Sequence, residues 1–128
     1  MTVTRGLSHI HLFVRDIERS VRFYQEGLGM REAFRDGPKF IFSNTPGATD
    51  LVALHEVEER RARAGDSGGV WHFGFLVDPS TFEAILQQVV AAGGRLIERG
   101  ERSAASSYAA VYDPDGYVVE LYTPEKRP

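Results

Sequence analysis

Val111-Tyr-Asp-Pro-Asp-Gly-Tyr-Val-Val-Glu-Leu-Tyr122 sets a turn, Asp113-Pro114-Asp115-Gly116, between two runs of β-branched and aromatic residues. Proline presets φ early in the turn and glycine accepts φ above zero at its end, so the stretch reads as a β-hairpin. Its second strand, Tyr117 to Tyr122, is apolar apart from Glu120. An ionised carboxylate in such a strand is costly unless a cation answers it, which makes Glu120 a residue in need of a partner. The register across the turn decides its company. A plain four-residue loop pairs Tyr112 with Tyr117 and turns Tyr108 and Tyr112 away from Glu120, whereas one bulge brings them to its face; the sequence is compatible with both.

Partners for Glu120 lie far upstream, in two strand-like runs that resemble each other, His9-Ile-His-Leu-Phe-Val14 and His72-Phe-Gly-Phe-Leu-Val77. Each opens with a histidine. Two neutral imidazoles and one carboxylate form a facial set that holds a divalent ion and leaves coordination positions open, so His9, His72 and Glu120 are the candidate metal ligands. The chain contains no cysteine. Thiolate ligands, nucleophilic thiols and disulfides are therefore excluded, and the remaining nitrogen and oxygen donors suit Fe(II), Mn, Ni, Co or Zn.

Outward from these runs, Leu7 to Val14 alternates, with Ile10, Leu12 and Val14 on one face and His9, His11 and Phe13 on the other. Asp16 reads as the N-cap of a helix that carries Ile17, Val21, Tyr24 and Leu28 and is stopped by Gly27 and Gly29. Three strands follow, over Met30 to Arg35, Lys39 to Asn44 and Leu51 to Glu56. After a charged, glycine-ended linker at 57–69 the cycle begins again with a strand from Val70 to Val77. Asp78-Pro79, Ser80 and Glu83 then open a helix whose stripe is Phe82, Ile85, Leu86, Val89 and Val90. Strands over Arg95 to Arg99, Ser107 to Tyr112 and Tyr117 to Tyr122 complete it. His9 and His72 stand 63 positions apart, as do Val14 and Val77. The expectation is an α+β fold of two βαβββ modules, at about 5–56 and 70–124, within a single domain spanning 1–128. Helices would cover the aliphatic strand faces and leave His9 and His72 turned toward a shared concave space.

A chain of 128 residues is long enough for one core that buries roughly two-thirds of the unfolded chain's surface. The net charge of -3, without a basic cluster interleaved with aromatics, argues against nucleic acid as a partner. No apolar run approaches the roughly 18 residues of a membrane span, and the first residues lack the apolar core of a signal peptide. A cytoplasmic protein without membrane contact is the expectation.

Three stretches together carry a family resemblance: Ser8-His9-Ile-His-Leu-Phe-Val-Arg-Asp16 with Ser20, Phe23-Tyr24 and Leu28-Gly29; Trp71-His72-Phe-Gly-Phe; and Tyr112-Asp-Pro-Asp-Gly-Tyr-Val-Val-Glu120-Leu. Over essentially its whole length the chain resembles the vicinal oxygen chelate superfamily, the group of glyoxalase I, bleomycin-resistance proteins and extradiol dioxygenases. The resemblance implies a half-open barrel built from the two modules, a homodimer, and metal ligation at His9, His72 and Glu120. Particular activities do not carry over intact. Ala53 stands where glyoxalase I has a further glutamate ligand, Asp50 and Ala110 stand where extradiol dioxygenases have a histidine and a tyrosine, and His11 replaces the threonine of fosfomycin-modifying members.

His11 shares its strand face with His9 and is a candidate substrate contact or proton carrier, while His55 shares one with Ala53 and is a candidate base near the metal or a displaced fourth ligand; both are the candidate catalytic residues. The functional expectation is a metal-dependent enzyme that chelates a small oxygenated organic substrate, acting as a lyase or isomerase with a redox-inert ion or as a dioxygenase with Fe(II) or Mn. The alternative is a non-catalytic protein of the bleomycin-resistance type, which sequesters a hydrophobic or cationic small molecule between aromatic walls.

Overall fold

The computed structural model describes residues 2–58, 70–102 and 106–124; most of the expected linker, 59–69, lies outside the described residues. The first module runs β1 (Ile10–Val14), α1 (Ile17–Arg22), β2 (Arg31–Arg35), β3 (Phe40–Asn44) and β4 (Val52–Glu56). The second repeats the order with β5 (His72–Leu76), α2 (Phe82–Ala91), β6 (Arg95–Arg102), β7 (Ser106–Tyr112) and β8 (Val118–Tyr122). Each module folds into a four-stranded sheet of the same topology, β1-β4-β3-β2 and β5-β8-β7-β6, in which the first and last strands pair in parallel. This is the expected pair of βαβββ units, and the two sheets remain open rather than closing into one barrel.

Alternation decides which side of each sheet is core. Leu12, Val14, Ile41, Val52 and Leu54 of the first sheet and Ala109, Val111, Val119 and Leu121 of the second are buried in one cluster with the helical residues Ile17, Phe23, Tyr24, Phe82, Leu86 and Val89. The histidines lie on the opposite faces. Asp16 caps α1 as expected, its side chain accepting from the Arg19 N–H, and Glu56 accepts the Ile17 N–H from the end of β4.

Three local readings change. Beyond Arg22 the helix widens into a π-helical turn, Phe23–Gly27, instead of continuing as α. That turn buries two consecutive aromatic residues, Phe23 and Tyr24, with ring centroids 4.9 Å apart. In the second module Pro79–Thr81 forms a 3₁₀ turn, so α2 starts at Phe82 and Ser80 does not cap it. The third change is in the hairpin of 111–122. Tyr112 pairs with Val118 and Ala110 with Glu120, so five residues, Asp113 to Tyr117, separate the strands. Gly116 adopts φ 90°, and this left-handed residue supplies the bulge that puts Tyr108, Ala110 and Tyr112 on the same face as Glu120.

The same turn joins the modules. Asp115 accepts hydrogen bonds from the Arg15 N–H (2.9 Å) and the Ser20 hydroxyl (3.0 Å) and pairs with the Arg19 guanidinium (3.3 Å), all from the first module. Asp113 accepts from the Tyr24 hydroxyl at 2.7 Å, while its other oxygen takes the N–H groups of Asp115 and Tyr117. The Tyr117 hydroxyl donates to the Phe13 carbonyl at 2.8 Å. On the helical side α2 meets the π turn at Gly27, where a Cβ would stand 3.3 Å from Ala92 and Val89.

Burial pushes the Asp113 carboxyl up to about 6 from its ordinary 3.8, against hydrogen bonds that favour the anion. A carboxyl whose pKa is raised by folding contributes stability that is fully present below its unfolded pKa and is lost as pH rises through the folded one. Asp113→Asn keeps one acceptor oxygen and places an amide donor toward Tyr24, whose hydroxyl can rotate to accept. Urea unfolding followed by circular dichroism should therefore show the variant gaining on the parent by on the order of 2–3 kcal/mol between pH 4 and pH 8. An unchanged difference across that range would contradict a neutral-favouring Asp113.

Candidate functional site

On the open face of the second sheet, His72 begins β5 and Glu120 lies in the middle of β8. The parallel register sets Gly74 beside Glu120 and His72 beside Val118, which makes His72 and Glu120 diagonal neighbours. His72 Nε2 stands 3.4 Å from Glu120 Oε2. Glu120 is 8% exposed and the imidazole half-buried, so one of the two expected histidines stands beside the carboxyl group. A Cβ on Gly74 would stand 3.0 Å from the Glu120 carbonyl oxygen and 3.4 Å from the Glu120 Cβ. Glycine therefore permits close approach of β5 to β8 and leaves the space beside the carboxylate free of a side chain of its own. Tyr112 carries the Arg95 guanidinium 4.9 Å from its ring centroid, and Tyr108 lies against Gly100.

The corresponding face of the first sheet is aromatic. His11 and Phe13 come from β1, His55 from β4, Phe40 and Phe42 from β3 and Phe34 from β2. His11 Nε2 and His55 Nδ1 are 3.1 Å apart, a hydrogen bond in which one ring donates and the other accepts. Desolvation, followed by the neighbouring His55 and His9, pushes the His11 imidazole below its ordinary value and favours the neutral ring. A hydrogen-bonded imidazole pair of this kind can accept a proton at one nitrogen while the partner ring orients it.

His9 belongs to neither of these pairs, although it lies near enough to His11 to act on that ring. The β1 ladder begins at Ile10, so His9 precedes it, exposed, with Nδ1 2.6 Å from the Ser8 hydroxyl. It lines a cavity of about 330 Å³ at the seam of the modules, together with Leu7, Ile10, Phe73, Gly74 and Leu76. Among the described residues, no three His, Asp or Glu side chains are grouped closely enough to hold a metal ion. Of the five residues named from the sequence, the chain thus forms two pairs, His72 with Glu120 and His11 with His55, and leaves His9 outside both. The role of Gly74 was hidden in the sequence, although it lies 63 positions from His11 and so occupies the repeat-equivalent place. Contact between His11 and His55 follows once β1 and β4 are known to be neighbours.

A family model for the Glyoxalase/Bleomycin resistance protein/Dioxygenase superfamily matches residues 6–121. The glutathione transferase FosA of Serratia marcescens is 29% identical over 119 residues, covering 92% of this chain and 80% of that protein. A probable chloroplastic lactoylglutathione lyase of Arabidopsis thaliana is 33% identical over 125 residues, 91% of this chain but 35% of the relative, so the chain spans about a third of that protein. Among solved structures, a fosfomycin resistance protein FosX of Listeria monocytogenes, in complex with Mn(II) and 1S,2S-dihydroxypropylphosphonic acid, superposes with a TM-score of 0.75 at 21% identity, over 94% of this chain and 91% of that one. Among the described residues no helix is long and apolar enough to cross a membrane.

The tight contact at Gly74 makes a direct prediction. Gly74→Ala should separate β5 from β8 or shift Glu120, lowering stability by about 1–3 kcal/mol in urea unfolding. Wild-type stability in that variant would show that the approach at Gly74 is not constrained.

Proposed function

Because the chain belongs to the Glyoxalase/Bleomycin resistance protein/Dioxygenase superfamily, we propose that it is a metal-dependent enzyme acting on a small organic compound with two neighbouring oxygens. The observation that carries this reading is the 3.4 Å approach of His72 to the buried Glu120. Imidazole nitrogen and carboxylate oxygen bind one divalent ion at roughly 2.0–2.2 Å each, and two donors so held stand about 3 Å apart, so this pair fits such an ion with a small adjustment. Gly74 leaves space beside it for water or substrate oxygens. A divalent ion held there, whether Fe, Mn, Ni, Co or Zn, would supply Lewis-acid polarisation of those oxygens, and Fe or Mn could also support oxygen chemistry.

His9 is the third ligand in this proposal, contributed by a second copy of the chain, since its own imidazole is not grouped with His72 and Glu120. A homodimer also answers the exposure of Leu7 (90%) and Leu76 (73%) at the seam cavity, that of Trp71 (66%) just before β5, and the open edges at β1 and β5. Glu120 would set negative charge against the ion, and in such a dimer an aromatic face would keep water from the bound oxygens. His11 and His55 are the proposed base, one imidazole taking the proton and the other fixing its orientation, a contribution worth roughly a hundred- to ten-thousand-fold in rate. The run of exposed and half-buried phenylalanines favours a second reading, sequestration of a small molecule without chemistry. Tight ligand binding indifferent to a chelator, in a protein without turnover, would select it.

Protein purified without chelator or affinity tag should contain about one equivalent of a transition metal per chain by mass spectrometry, and the His72→Ala and Glu120→Ala variants close to none. Metal-free parent protein that takes up no added ion would overturn the proposal. Mixing His9→Ala with Glu120→Ala chains should restore about half the metal of the parent in the mixed dimer, because one of its two sites then has all three ligands. Recovery of none would place all three ligands in one chain.

A further inference from the structure

We infer that the open face of the first sheet recognises a flat, uncharged aryl group, so that the compound bound by this protein carries an aromatic ring system in addition to the oxygens of the proposed metal site. The inference deepens the function proposed above and rests on it for the position of those oxygens. Its basis is a continuous run of rings across all four strands. Phe34 stacks on Phe42 with centroids 4.2 Å apart and planes within 17°. Phe42 meets Phe40 at 4.6 Å, and Phe40 meets His55 at 4.5 Å and His11 at 4.9 Å. Phe13 closes the run at 5.3 Å from His11 and 5.6 Å from His55.

The register produces this run. Phe34 is opposite Phe42, and Phe40 and Phe13 are both opposite His55, so the rings share a face by alternation. Phe34 remains 52% exposed. A stacked pair left at the surface offers its π face to a further ring, and offset or edge-on ring contacts are favourable beyond their buried area. A polar end is also present. One ring of the His11–His55 hydrogen bond donates and the other accepts, which leaves one further nitrogen on each ring for the polar edge of an aryl alcohol or ketone.

Charge argues in the same direction. Lys39 pairs with Glu56 and Arg35 with Glu32, and all four occupy positions that alternate onto the other face of the sheet. Arg31, opposite Asn44 at the outer strand, is the charged position in register with the aromatic face among the described strand residues. Among the described strand residues no Lys or Arg other than Arg31 shares the face of the rings, and a small dianion would gain little from stacking.

Binding to chelator-treated protein separates this inference from the metal proposal, because the aryl contact does not depend on the ion. Calorimetry with 2-naphthol, its saturated analogue decahydro-2-naphthol and propylphosphonate should rank naphthol tightest, by about five- to tenfold over the saturated alcohol. Naphthol should also shift the imidazole C–H resonances of His11 and His55 through its ring current. Phe42→Leu, and separately the exposed Phe34→Leu, keep apolar volume and should reduce the aryl preference at least about threefold. Equal affinity for the two alcohols, an aryl preference unchanged in both variants, or tighter binding of propylphosphonate would each overturn the inference, whatever the metal content.

Discussion

Two buried carboxylates at one turn hold this molecule together. The side chain of Asp115 is wholly buried, yet it takes an N–H and a hydroxyl and faces two guanidinium groups, all from the first module. Such a group is tolerable in the interior because its oxygens are answered, and removing any one partner would leave a desolvated charge. Asp113 ties the same turn to Tyr24, and Tyr24 is buried through the π turn that ends the first helix. Glu120 lies four residues beyond Gly116, so the turn that docks the modules also sets the register of the proposed metal-binding strand. Docking and site geometry are not independent in this fold.

The two open sheet faces show how a repeat can divide labour. The parallel register places His11 beside Ala53 in the first sheet and Gly74 beside Glu120 in the second. A large side chain next to a small one occurs in both, with the order exchanged. In the second sheet the large residue is a carboxylate next to a bare backbone, which suits an ion and its substrate oxygens. In the first it is an imidazole, surrounded by phenylalanine rings, which suits the organic part of a ligand. His9 at the seam belongs to neither pair. In the proposed dimer, one copy's aromatic face would serve another copy's polar pair.

Much of the architecture was legible because it depends on short-range patterning. Period-two alternation separated the core faces from the histidine faces, Asp16 announced the first helix, and the 63-residue offset announced the duplication. The family resemblance followed from the same residues. Local features that depend on packing were not legible. An α-helix and a π turn have the same apolar residues, and it is the burial of Phe23 beside Tyr24, with Asp113 waiting for the Tyr24 hydroxyl, that favours the wider turn. Proline at 79 could begin either a 3₁₀ turn or an α-helix.

By itself, the sequence determined the βαβββ repeat, the faces of its strands and the residues with chemistry on them, because side-chain direction in a strand follows from position alone. Tertiary structure decided which of those residues meet. The hairpin register turned on one left-handed glycine, and the pairing of His72 with Glu120 turned on β5 lying beside β8, a contact between strands more than forty residues apart. Contacts of that range depend on how sheets and helices pack, and no local pattern encodes the distance between two side chains brought together from separate strands.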